Sequence, residues 1–253
     1  DLANGRAVSA EALVRWNHPH RGAVSPEEFI PVAEEMGLIG EIGRFVLRAA
    51  CQQLVEWRAV PGAGALTVAV NVSPYQLYDN RFVGEVRAAL VDSGLPPSGL
   101  ILELTESAFL SDTARVHHRL ARLREIGVRI AIDDFGTGYS SLAYLRRLPI
   151  DFLKIDRSFV SELGTPSSEQ ARSLIRSIVS LGHDLGLVVV AEGIETADEL
   201  DDVRATLCDL GQGFFLGMPE EPAALERLLS AQAADAARVS SEAAAQRARA
   251  VLT

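Results

Sequence analysis

Val128-Arg129-Ile130-Ala131-Ile132-Asp133-Asp134-Phe135-Gly136-Thr137-Gly138 decides the fold. A short run of β-branched and small apolar residues reads as a buried strand. It ends on two adjacent carboxylates and a glycine-containing loop. The same pattern recurs along the chain. Strand candidates are Ala7–Leu13, Leu66–Val72, Leu100–Leu104, Val128–Ile132, Phe152–Ile155, Leu187–Ala191 and Cys208–Gly211. An acidic or amide residue lies at nearly every end: Glu11, Asn71, Glu103, Asp133 with Asp134, Asp156, Glu192 and Gln212. Lys154 is the one cation among them.

Amphipathic stretches separate these runs: Ile42–Trp57, Phe82–Ser93, Thr113–Ile126, Ala171–Leu185 and Ala197–Leu207. Ser25-Pro26-Glu27-Glu28 reads as a capping box with Pro at the first helical position, opening a helix towards Met36. Alternating strands and helices give a parallel α/β sheet. An open sheet would gather its polar residues at one switch point. Here they follow almost every strand, so the sheet closes into a barrel. Seven strands are one short of a (β/α)8 TIM-like barrel. Asn4-Gly5 is a two-residue hairpin signal and implies an antiparallel first strand, for which only Asp1-Leu2-Ala3 remain. The chain begins at Asp1 rather than Met and reads as a piece of a longer protein. Residues 1–230 form the expected domain, and the Ala- and Arg-rich segment 231–253 a helical appendage or linker with little to bury.

At 48% hydrophobic residues, the chain has the material for a large core. A net charge of -10 argues against a general nucleic-acid surface. It does not exclude a small phosphate ligand, because bound metal reverses the local sign. Cys51 and Cys208 stand far apart and read as reduced thiols of a cytosolic protein. No apolar run reaches the roughly 18 residues of a membrane span.

Clustered carboxylates at strand ends repel one another, and each desolvated charge costs several kcal/mol. Divalent metal resolves this, and oxygen donors favour Mg²⁺ or Mn²⁺ over zinc or copper. Metal-assisted hydrolysis of an anionic substrate follows. Glu11 and Arg15, four apart, would share one strand side as ligand and phosphate grip, or as a structural salt bridge. Asn71 reads as a neutral ligand or a turn residue. Glu103 sits inside an apolar run and is assigned to metal, whereas Glu106 anchors a neighbouring loop. Asp133 and Asp134 reach metal together. Lys154 and Asp156 would share one strand side, Glu192 is a candidate base for water, and Gln212 lies between Gly211 and Gly213 for close ligand approach. His18 and His20 are placed in a loop, His117 and His118 on a helix, all at the surface.

Glu11-Ala12-Leu13-Val14-Arg15-Trp16, Asn71-Val72-Ser73-Pro74, Glu103-Leu104-Thr105-Glu106-Ser107, the Asp133–Leu142 loop, Lys154-Ile155-Asp156, Ala191-Glu192-Gly193-Ile194-Glu195 and Gln212-Gly213 stand in order from Ala7 to Pro222. In this the chain resembles the EAL-domain phosphodiesterases that cleave cyclic di-GMP. The resemblance implies a modified (β/α)8 barrel with an antiparallel first strand. It implies that Glu11, Asn71, Glu103, Asp133 and Asp134 hold two Mg²⁺ or Mn²⁺ ions, with inhibition by Ca²⁺. Lys154, Glu192 and Glu195 would order and activate water. Leu13, Arg15 and Gln212 would contact substrate, Asp156 would support Lys154, and Glu106 would anchor the Asp134–Ser141 loop. The product would be linear pGpG. The resemblance also implies a homodimer through that loop and sensor or GGDEF-type domains in the parent. Phe214 and Met218 depart from the family's usual Tyr and basic residue. A catalytically idle module that binds cyclic di-GMP or a protein partner is the alternative.

Overall fold

The computed structural model describes residues 1–109, 113–137, 145–165 and 168–251. Seven strands form one sheet: β1 (Ser9–Ala12), β4 (Thr67–Asn71), β5 (Leu100–Thr105), β6 (Arg129–Phe135), β7 (Phe152–Ile155), β8 (Val188–Ala191) and β9 (Leu210–Gly211). Their order is β1-β4-β5-β6-β7-β8-β9, and every neighbouring pair is parallel. The sheet curls until its two edges meet. Gln212, just beyond β9, donates to Glu11 of β1 at 2.6 Å. On the opposite face of the barrel, the Leu2 amide donates to the Asp209 carbonyl at 3.0 Å.

Helices α1 (Pro26–Glu35), α2 (Ile39–Arg58), α3 (Pro74–Tyr78), α4 (Phe82–Ser93) and α5 (Thr113–Ile126) flank the strands, with four more at Arg157–Ser161, Ser168–Asp184, Ala197–Ala205 and Pro222–Val251. Helix α2 shows why. Gly43, Leu47, Ala50, Cys51, Leu54 and Trp57 recur every three or four residues, and all are buried. The main core lies between helices and sheet. A second, smaller cluster of Ala69, Ile101, Ala131, Phe152 and Val190 fills the barrel interior. One residue from each of five strands makes this layer. Two positions later, where the pleat returns to the same side, stand Asn71, Glu103, Asp133 and Lys154 on their strands, and Glu192 follows the last residue of β8. The apolar layer is thus the floor beneath the polar one.

The structure departs from the sequence reading in several places. Asn4-Gly5 turns the chain without a hairpin. The Asp1 carboxylate accepts from the amides of Ala3 and Asn4 and from the Asn4 side chain, and the Gly5 amide closes on the Asp1 carbonyl. Among the described residues no antiparallel strand joins the seven. The residues after β1 are not all loop: β2 (Trp16–His18) and β3 (Gly22–Val24) form a separate antiparallel hairpin that carries His18. His18 Nδ1 accepts from the His20 and Arg21 amides and so shapes its turn. Ser25 precedes α1 as expected, yet makes no side-chain cap, and Glu28 pairs with Arg21 rather than reaching back. The Pro222–Val251 helix runs through residue 230, where the domain was expected to end. Its early turns meet the barrel: Leu229 is buried and the Gln232 side chain accepts from the Ala7 amide at 3.2 Å.

Both cysteines are free and buried, and burial pushes Cys51 up to about 11 and Cys208 to about 12. Such thiols are inert at neutral pH. Among the described residues no helix is long and apolar enough to cross a membrane.

Candidate metal centre

Lys154 organises the floor of the site. It is 3% exposed, and its ammonium lies 2.9 Å from Glu103 Oε1, 3.1 Å from Asp133 Oδ1 and 2.7 Å from Glu192 Oε1. Burial alone would pull the Lys154 pKa down. Glu103, Asp133, Glu192 and Glu11 outweigh it and hold the pKa well above the usual lysine value. The carboxylates carry the opposite strain. Burial raises Glu103 to about 8 and Glu192 to about 7, against the pull of Lys154. One ammonium therefore does not satisfy the acids around it. The second oxygen of Glu103 confirms this locally: it is buried with no hydrogen-bond partner.

Asp133 and Asp134 reach the same space through an irregularity in β6. Ile132 pairs with Leu153 and Phe135 with Ile155, so two residues of β6 oppose the single residue Lys154. That is a β-bulge. In a regular strand adjacent side chains would face opposite sides. The bulge, with Asp134 at a φ of 54°, turns both carboxylates upward. Oxygens of Asp133, Asp134 and Glu192 lie within 4.8 Å of one another. Burial, then Asp133, raises the Asp134 pKa. The sequence placed these aspartates after the strand; the strand runs through them to Phe135.

Glu11 stands on the other side, at the seam. Its two oxygens accept from Asn71 Nδ2 and Gln212 Nε2, both at 2.6 Å. The Asn71 amide nitrogen is thus spent on Glu11, and its oxygen remains as a donor to a cation. Every donor gathered here is an oxygen, and none comes from Cys or His. With the orphaned Glu103 oxygen, that set fits a hard divalent cation.

Glu106 is buried and accepts from the Gly136 amide at 3.0 Å, tying the end of β5 to the start of the loop after β6. Residues 138–144 of that loop, including the second half of the Asp134–Ser141 segment, lie outside the described residues. Glu195 is exposed beyond β8, and its amide donates to Glu199 at 2.7 Å.

Two geometric expectations fail. Strand β1 stops at Ala12, so Arg15 does not share a strand face with Glu11; it is exposed and donates to the Val14 carbonyl at 3.0 Å. Leu13 is likewise exposed beside it. Strand β7 stops at Ile155, so Asp156 does not continue the Lys154 face. It caps the Arg157–Ser161 helix, accepting from the Ser158 amide at 3.0 Å and from the Ser158 hydroxyl.

The family model for the EAL domain matches residues 1–219. The chain belongs to the EAL domain family. It is 45% identical over 236 residues to the cyclic di-GMP phosphodiesterase NbdA of Pseudomonas aeruginosa, covering 93% of this chain and 30% of that protein. It is 45% identical over 216 residues to the bifunctional diguanylate cyclase/cyclic di-GMP phosphodiesterase MucR of Pseudomonas aeruginosa, covering 85% of this chain and 31% of that one. Among solved structures, the PaMucR phosphodiesterase in complex with c-di-GMP matches with a TM-score of 0.82 and 44% identity, covering 86% of this chain and 87% of the other. The chain spans only about a quarter to two fifths of the curated relatives it matches. The fold is that of an EAL domain, a curled, TIM-barrel-like parallel sheet of seven strands with surrounding helices.

The sequence reading of this EAL domain missed one group next to the site. Ser73 and Gln76 form a reciprocal capping box at the start of α3, beginning two residues after Asn71. Ser-x-x-Gln before an apolar position is the signal that marks it.

Proposed function

We propose that the chain hydrolyses cyclic di-GMP to linear pGpG with two Mg²⁺ or Mn²⁺ ions. The observation that carries this reading is the ring of Glu103, Asp133 and Glu192 around the buried Lys154, with Asp134 turned into it by the bulge. That ring sits in an EAL domain whose named relatives are cyclic di-GMP phosphodiesterases.

Glu11, Asn71, Glu103, Asp133 and Asp134 would hold the metal ions. When bound, the ions supply charge to stabilise phosphoryl oxygens and lower the pKa of water. The rest falls to the side chains. Lys154 stays protonated and keeps Glu103, Asp133 and Glu192 in fixed positions before substrate arrives. Glu192, raised to about 7, accepts a proton near neutral pH. Glu195, at the exposed rim, assists it. Arg15 and Leu13 at the mouth and Gln212 at the seam face the incoming cyclic dinucleotide; a guanidinium matches a phosphate by two parallel hydrogen bonds. Glu106 holds the Asp134–Ser141 loop through Gly136, and Asp156 fixes the chain just after Lys154. Because Ca²⁺ prefers bonds of roughly 2.3–2.6 Å against roughly 2.0–2.1 Å for Mg²⁺, Ca²⁺ should inhibit. The same reading takes residues 1–230 as the catalytic unit. It adds a homodimer through the loop, a cytoplasmic location, and sensor or GGDEF-type domains in the longer protein.

The test is incubation with cyclic di-GMP and Mg²⁺, with and without EDTA, following pGpG. Full turnover in EDTA, or with Ca²⁺ alone, overturns the two-metal reading. Tight binding of cyclic di-GMP with no pGpG would make the chain an idle sensor module.

A further inference from the structure

We propose that Glu34 is a positioning residue for Asn71, acting through Ser73 and Gln76. The proposal rests on the reading above, in which Asn71 belongs to the metal centre. Glu34 lies in the last turn of α1, away from the ring around Lys154. Its Oε1 accepts the Ser73 hydroxyl proton at 2.5 Å. That donation aims the Ser73 oxygen's lone pairs, one of which accepts from the Tyr75 amide at 3.2 Å. The Ser73 amide donates in turn to Gln76 Oε1 at 3.2 Å. Gln76 is 5% exposed and lies against α2 where residue 43 is glycine. A Cβ on Gly43 would fall 1.8 Å from Gln76 Nε2.

The segment leaving β4 is therefore held at three points. The Val72 amide donates to the Glu103 carbonyl at 2.9 Å, Ser73 is tied to α1, and Gln76 is wedged against α2. Asn71 precedes these anchors by one to five residues and directs its amide at Glu11. A helix cap needs only the Ser73 oxygen. The side-chain oxygen of Glu34 does something more: as an acceptor it fixes one hydroxyl orientation and ties the strand exit to a neighbouring helix. Outer partners of this kind orient metal-ligand side chains.

The experiment uses the full chain, uniformly ¹⁵N-labelled, in EDTA. The Asn71 side-chain amide signals are identified by their disappearance in Asn71→Asp. Glu34→Ala should shift or broaden them, and Glu34→Gln, which keeps a carbonyl acceptor, should leave them near the wild-type position. Gly43→Ala should perturb them by displacing Gln76; if that variant does not fold, the Glu34 pair decides alone. Unchanged Asn71 signals in Glu34→Ala overturn the proposal. So does an equal change in Glu34→Gln, which would show that only the charge is sensed. In a second measurement, Mn²⁺ affinity should weaken by about tenfold in Glu34→Ala and return in Glu34→Gln, with kcat recovered at saturating metal. Unchanged Mn²⁺ affinity in Glu34→Ala also overturns it. A wild-type chain that binds no Mn²⁺ would sink the metal reading instead, and the metal-free signals would still decide whether Glu34 positions Asn71.

Discussion

On the β5–β8 wall of the site, Glu103 and Asp133 are buried, Glu192 is half-buried, and all three share the Lys154 ammonium. At the β1–β9 seam, Glu11 is half-buried, and two exposed neutral amides, Asn71 and Gln212, hold it. One wall is fixed by buried charge, the other by amide hydrogen bonds that water can replace. Breaking the first should cost the fold; breaking the second should cost chemistry and leave the fold standing.

The largest effect is expected for Lys154→Met. Removing the cation leaves three acids facing one another with burial undiminished, a loss of about 3–5 kcal/mol in the metal-free protein. Denaturant unfolding in EDTA measures it. A change below about 1 kcal/mol would mean that the acids simply take up protons and that Lys154 does not hold the wall. Glu11→Ala tests the seam, and Asp133→Ala tests the wall opposite it. Each should lower kcat at least about a hundredfold, roughly 2.7 kcal/mol of barrier. Glu11→Ala should keep the wild-type Tm in EDTA. Retention of more than about a tenth of the rate removes either residue from the ligand set.

Glu106→Ala should have an intermediate effect, about tenfold in rate at low Mg²⁺, or roughly 1.4 kcal/mol. Its target is the loop tie to Gly136 rather than a ligand, so high Mg²⁺ should restore much of the rate. Loss that no metal concentration repairs would place Glu106 among the reacting groups. The smallest effect is on thermal stability. Glu103 and Glu192 have pKa values raised to about 8 and about 7 from 4.5. The native state therefore holds protons that the unfolded chain has released. This contribution to stability is full below 4.5 and is lost as pH rises through about 7 and then about 8. Lys154 remains charged throughout that window. The metal-free Tm should fall by a few degrees between pH 5 and pH 8, and added Mg²⁺ should raise it more at pH 8 than at pH 6. A flat Tm in EDTA would separate these acids from folding.

The barrel was legible because most strands announce themselves twice, by an apolar run and by a polar residue at or near its end. Val188–Ala191 before Glu192 and Leu100–Leu104 around Glu103 are of this kind. Residues that lie beyond a strand's end are harder to place by spacing. Arg15 and Asp156 look like strand-face partners of Glu11 and Lys154 by spacing alone. Their strands stop at Ala12 and Ile155, and period two is no longer imposed by the ladder past a strand end. The hairpin of β2 and β3 is three residues on each side, too short for alternation to show. Asn4-Gly5 specifies a tight turn but no strand, and Asp1 supplies that turn's partner from its own side chain. The tie from Glu34 to Ser73 joins residues 39 apart in sequence, which no local pattern encodes.

The bulge in β6 sets a stability cost against the chemistry it serves. Asp134 holds a φ of 54°, a backbone state that costs an L-residue roughly 1–2 kcal/mol and glycine little. The same inserted residue breaks the ladder to β7 where the sheet is otherwise regular. For folding alone, glycine is the better residue at position 134, and no inserted residue would be better still. The chain keeps the carboxylate at an uncomfortable backbone position. Selection for a more heat-stable variant of this domain would find an easy gain there, and would take it at the expense of the charge that the bulge exists to present.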